Sequence, residues 1–203
     1  MVLPEVQLPC YLGSGHAKMG AMRKALSIVM LALWLVQPAI AAAPQTPLQP
    51  LLKALATASS KEEAAPLEKR VELLFLNSGS ASVDLLMNRA SRLLVIGKLD
   101  LARTLLRAVT QIAPHYAEGW HQRARLAALT GDDRAAILFL ERTIILNPRQ
   151  FEAYAELGSL LRAYGDDKGA LAMYRKAAAL DPHYDGVGSA LRALVRQVEG
   201  QSI

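Results

Sequence analysis

Four histidines, His16, His115, His121 and His183, are the side chains here that could ligate a metal or move a proton near neutral pH. His115 and His183 are 68 residues apart, and each precedes a tyrosine, Tyr116 or Tyr184. That spacing is two lengths of a 34-residue beat that recurs along the chain, so the two share one structural position on either side of an intervening unit. They are too far apart to share a metal. His16 lies upstream of an apolar leader, and the single cysteine, Cys10, lies there too. No Cys or His spacing matches a zinc motif. Asp132-Asp133 and Asp166-Asp167 offer paired carboxylates, but they also stand 34 apart, each pair directly after a glycine. That is the place of a helix start, where an aspartate caps backbone N–H groups. Gly13-Ser14-Gly15 and Gly79 are isolated and make no phosphate loop. No serine has a base and an orienter in register. These residues predict no catalysis, no metal and no cofactor. Arg125 and Arg162 remain, 37 residues apart, and a guanidinium pair can hold a carboxylate.

The same beat sets the elements that must position these groups. Pro114, Pro148 and Pro182 keep it, as do Gly97, Gly131 and Gly165, and Ala102, Ala136 and Ala170. A fixed period of this length marks a repeat array. With Val83, Ala117 and Phe151 as first positions, the fourth is Leu86, Trp120 and Tyr154, and the eighth is Ala90, Ala124 and Gly158. Large residues at the fourth position fill the space between two helices. Small ones at the eighth and twentieth let those helices approach. Glycine at the fifteenth ends the first helix, and proline at the thirty-second ends the unit. Alanine and leucine dominate while aromatics are only 5% of the chain, which favours helix over strand. The expected fold is all-α.

The pattern resembles the tetratricopeptide repeat. Tyr154, Leu157, Gly158, Ala170, Tyr174, Ala177 and Pro182 stand at that family's positions in the third copy; Trp120, Ala124, Ala136 and Pro148 do so in the second. The first copy is weaker, with Leu86 in place of an aromatic. Arg89 and Arg123 depart from the family at the seventh position, where it prefers leucine. Each must lay its stem along the core and reach solvent or an acid. The resemblance implies a right-handed superhelical array of antiparallel hairpins with repeats at 83–116, 117–150 and 151–184.

In that family the first helices line a concave groove that binds peptides or proteins. The resemblance therefore implies Asp84, Met87, Ser91 and Leu94 as groove residues of the first copy. Glu118, His121, Arg125 and Leu129 follow from the second, and Glu152, Ser159 and Arg162 from the third. Asp84, Glu118 and Glu152 form an acidic row, and Arg125 and Arg162 fall on neighbouring helices about one turn apart. The family's carboxylate clamp is absent, because Met87, Ser91, His121 and Ala155 replace its lysines and asparagines. The expected partner is another protein or a peptide.

Outside the repeats, Arg23 and Lys24 precede the apolar run 25–36, and Ala39-Ile40-Ala41 supplies small residues for cleavage. This reads as a secretory signal peptide over 1–41, with the run too short for a membrane span. Residues 1–18 lie outside that pattern, and translation from Met19 or Met22 is expected. Export implies the bacterial periplasm, and cell-envelope assembly or maintenance as the setting. Residues 42–50 are proline-rich and read as an extended linker. Residues 51–80 hold a short helix over 51–58 and a longer one, opened by a capping box at Ser60 and Glu63 and running to about Leu76, and are expected to cap the open end of the array. Residues 185–203 supply a C-terminal capping helix. From Ala42 onward there are 20 Lys and Arg against 17 Asp and Glu, a net +3 with signs interleaved. That is a mixed surface, which argues against nucleic acid as the partner. A structural subunit that oligomerises through its caps or convex face is the alternative reading.

Overall fold

The computed structural model describes residues 47–200, and all regular structure among them is helical. The helices are α1 (Leu48–Ala56), α2 (Lys61–Phe75), α3 (Ala81–Val95), α4 (Leu99–Ile112), α5 (Ala117–Leu129), α6 (Asp133–Leu146), α7 (Phe151–Ala163), α8 (Asp167–Leu180) and α9 (Val187–Val198). The leader, Cys10, His16 and most of the linker fall outside the described residues.

The expected period is visible atom by atom. In each repeat a glycine adopts positive φ after the first helix: +72° at Gly97, +75° at Gly131 and +80° at Gly165. The next residue reverses the chain. Lys98 N donates to Leu93 O at 2.8 Å, Asp132 N to Ala127 O at 2.9 Å and Asp166 N to Leu161 O at 2.9 Å. This is the Schellman arrangement, and it satisfies carbonyls the helix end would leave open. Asp132 then accepts from Ala135 N at 3.1 Å and Asp166 from Gly169 N at 2.8 Å, so both aspartates are helix caps as expected. Lys98 makes no such cap in the first copy. Before each proline the chain is extended, with ψ of 72° at Ala113, 89° at Asn147 and 98° at Asp181, as proline sterics require.

The small positions do what was expected of them. Ala90, Ala102, Ala136 and Ala170 are wholly buried. A Cβ on Gly158 would come within 3.2 Å of the Tyr174 ring, so that glycine is a close-approach site. Each repeat's core borrows from the next. Leu126 of α5 joins the cluster of Met87, Leu106 and Val109. Ala153 and Leu157 of α7 join Leu140. Val187 and Leu194 of α9 close the far end against Ala170, Tyr174 and Ala177. Stability is therefore built from neighbour to neighbour, as in other repeat arrays.

The N-terminal pair differs from expectation in three ways. α1 begins at Leu48, inside the stretch read as linker, because Pro50 sits in the first turn, where no N–H needs an intrahelical acceptor. Ser60 accepts from Glu63 N at 3.3 Å, but the Glu63 carboxylate bonds Ser59 N at 2.9 Å and Ser59 Oγ at 2.7 Å, one residue earlier than a capping box. Most important, the pair packs on the third repeat rather than capping the first. Leu51, Leu52, Leu55, Val71 and Phe75 bury themselves with Phe151, Leu180 and Tyr184. Lys61 pairs with Asp185, and His183 Nε2 lies 2.9 Å from Ala58 O. At the other end of α2, Tyr116 donates from its hydroxyl to Leu76 O at 2.8 Å. α2 thus spans from the loop after the third repeat back to the loop after the first.

Candidate protein-binding face

The first helices α5 and α7 place a polar network between them. His121 is 1% exposed, and its ring nitrogens face two carboxylates: Nδ1 lies 3.3 Å from Glu118 Oε2 and Nε2 lies 3.1 Å from Glu156 Oε2. Gln122 and Gln150 donate to Glu118 at 2.7 and 2.6 Å. Gln150 Nε2 is also 2.9 Å from His121 Nδ1. Arg125 Nε stands 3.7 Å from Glu156 Oε1. The i, i+3 spacing of Glu118 and His121 puts both on one face of α5, and Glu156 comes from the next repeat.

Burial alone would strip His121 of its proton. The hydrogen bonds and charges of Glu118 and Glu156 outweigh it and push the imidazole up to about 10. Burial likewise opposes the charge on Glu118, yet its bonds from His121, Gln122 and Gln150 hold its carboxyl below the usual range. His121 is therefore the cation of a buried ion pair that ties repeat two to repeat three.

A cleft of about 360 Å³ lies beside this network, between α2 and the starts of α5 and α7. Its carboxylates are Glu72 of α2 and Glu118, Glu152 and Glu156 of the repeats; Arg125 is the cation on its wall. Glu152 has a buried Oε2 without a partner, and burial pushes its carboxyl up to about 7, with Glu118 and Glu72 adding in the same direction and His121 opposing. Further along α2, burial first and then the Asp181 charge raise Glu68 to about 7. Asp181 is itself raised by burial, and Glu68 Oε1 and Asp181 Oδ2 are both buried without a donor.

The residues expected to line the groove separate into two groups. Met87 is 3% exposed and belongs to the first repeat's core, so its assignment as an open contact is corrected. Glu118 and His121 are corrected likewise: they hold the repeats together from within. Glu152 is turned inward beneath α2. Asp84 accepts from Ser78 N at 2.9 Å and from Ser78 Oγ at 2.5 Å, and so fastens the turn before α3. Leu94 is half-buried against the same core as Met87. Ser91, Arg125, Leu129, Ser159 and Arg162 are exposed. Leu129 is 66% exposed, near the end of α5 that lies away from α2. Arg125 is engaged by Glu156, while the Arg162 guanidinium has no partner among the described residues. Gln122, Gln150, Glu156 and Glu68 were not foreseen. Glu118 and Glu152 repeat at 34 residues, but Glu156 and Gln150 answer a single histidine and have no counterpart in the periodic pattern.

Among the described residues no three His, Cys, Asp or Glu side chains are grouped to hold a metal ion, and no helix is long and apolar enough to cross a membrane.

An all-α stack of helix hairpins with a polar inner face is the class these features define. The fold is that of a tetratricopeptide-like helical array. Residues 151–184 match the family model described as tetratricopeptide repeat, with the limits of the third copy. A TPR repeat-containing protein of Rhizobium etli is 27% identical over 118 residues, which span 58% of this chain and 58% of that protein. The TPR domain of Sgt2 from Aspergillus fumigatus superposes with a TM-score of 0.54 at 21% identity, covering 61% of this chain and 83% of that one. The first TPR of Spaghetti, solved bound to an HSP90 peptide, gives 0.54 at 18% identity, covering 58% and 93%.

Proposed function

We propose that this chain is a non-enzymatic protein-binding module that presents the inner face of its repeats to a peptide or protein partner. The observation that carries the reading is the division of that face. One half is closed by α2, with Arg125 at its edge, and the other leaves Leu129, Ser159 and Arg162 in solvent on adjacent helices. A rigid array of first helices with an open row of mixed chemistry suits recognition of an extended or helical segment. The peptide held by the first TPR of Spaghetti supports the same use of the fold. The leader pattern at 22–43 supports export to the bacterial periplasm, and cell-envelope assembly or maintenance is the setting we propose. Capture of partners from a periplasmic extract tests this. The Arg125→Ala, Arg162→Ala double variant is expected to lose its main partner by about tenfold, the scale of one lost charge-assisted contact. Retention of every partner at full affinity would overturn the role of the two arginines.

A second reading rests on the second helices. Leu101, Ile112, Leu138 and Ile145 are each more than half exposed. Association through that outer surface would make the chain an assembly subunit. A mass measurement in solution decides it: a monomer at micromolar concentration rejects this reading.

A further inference from the structure

A different face of α5 carries a second feature. Arg123 occupies the seventh position of its repeat, where leucine would fill the same space. Its guanidinium carbon lies 4.1 Å from the Phe139 ring centroid and 5.0 Å from that of Trp120. Nη1 donates to Thr110 Oγ1 at 2.9 Å. The head group is thus held by two rings and one hydroxyl, and no carboxylate among the described residues pairs with it. Burial disfavours its charge, and Arg107 on α4 disfavours it further. Arg107 also has no ion-pair partner among the described residues. A half-buried cation beside a second unpaired cation costs free energy that a leucine would not.

Both guanidiniums line a cleft of about 360 Å³ between α4 and the α5–α6 hairpin. Leu126, Ala127 and Phe139 give it an apolar wall. Arg103 also lines it but is bonded to Asp100 at 2.6 Å. Asp132, the one carboxylate on the lining, is occupied in capping Ala135 N at 3.1 Å. The cleft therefore has two cations without a carboxylate partner among the described residues, an apolar wall and a deficit of negative charge. Arg123 has spare N–H donors in a fixed plane, the geometry that suits a bidentate oxyanion.

We propose that this cleft binds a carboxylate carried on an apolar group, with Arg123 and Arg107 gripping the carboxylate and the Phe139–Leu126 wall taking the apolar part. The chain terminus of a peptide ending in leucine and a short fatty acid both have this chemistry. The site is separate from the inner face and does not depend on the function proposed for it.

Calorimetry on the full chain tests the proposal with three probes: octanoate, an acetylated alanyl-leucyl-leucine with a free carboxylate, and the same peptide as its amide. At least one acid is expected to bind, with the amide at least about tenfold weaker than its acid. Binding should weaken as salt is added. Octanoate alone binding identifies a lipid-type ligand; the peptide acid alone identifies a chain terminus. Arg123→Leu installs the residue the repeat pattern prefers, and is expected to keep or raise the thermal midpoint while losing about tenfold in affinity. Arg107→Gln, at an exposed site, should lose affinity without any change in packing. No binding by either acid, equal binding of acid and amide, or unchanged affinity in both variants would overturn the proposal.

Discussion

Single residues fix the turns of this array and join its repeats. At Gly131 a Cβ would meet nothing within 4 Å, yet φ is +75°. Replacing it with alanine should therefore cost only backbone strain, roughly 1 kcal/mol, visible as a lower urea midpoint with an unchanged slope. His121 is a different case, because its loss strands two carboxylates. His121→Leu should destabilise by about 3 kcal/mol, and Glu118→Gln in the same chain should recover part of it. The imidazole is pushed above its ordinary 6.5 to about 10 in the folded chain. Its contribution is then complete below pH 6.5 and is lost as pH rises toward 10. Thermal midpoints across that range should fall in the native chain and change less in His121→Leu. The turn glycines and capping aspartates were legible in the sequence because each recurs at one beat. The His121 network was not, because Glu118, Gln150 and Glu156 come from three places and answer one non-repeating residue.

Helices α3 to α9 follow from periodicity, small residues and caps. α2 does not, because its place is set by contacts far along the chain, such as Lys61 with Asp185 and His183 with Ala58. Val71 and Phe75 stand at helical spacing, but nothing in the spacing names Phe151 and Tyr184 as their cover. The side of α2 facing the array is also the more acidic. Glu68 meets Asp181 and Asp185, and Glu72 meets Glu118, Glu152 and Glu156, against Lys61, His183 and Arg125 as cations. Glu68 and Glu152 are raised from 4.5 to about 7 when α2 is docked. Docking is then tightest below pH 4.5 and weakens as pH rises to 7, since the undocked state gives up its protons first. Amide protection factors over residues 69–75 should fall by about tenfold or more between pH 5 and 7. Glu68→Gln should flatten that slope.

For the whole molecule, the third repeat is the junction. It carries the match to the family model, closes against α9 and receives the N-terminal pair through Phe151, Leu180 and Tyr184. Removing that cover by Phe151→Ala should destabilise the chain by about 4 kcal/mol in thermal or urea unfolding, because Phe151 is wholly buried. The partner-binding claim rests on the half of the inner face that α2 leaves open. A photo-crosslinking side chain at Leu129, on that face, and another at Leu138, on a second helix, test it most directly in living cells. Both positions are more than half exposed, so reactivity alone does not separate them. A discrete protein adduct from Leu129 and none from Leu138 is the predicted result. The same adducts from both positions, or adducts from Leu138 alone, would contradict it.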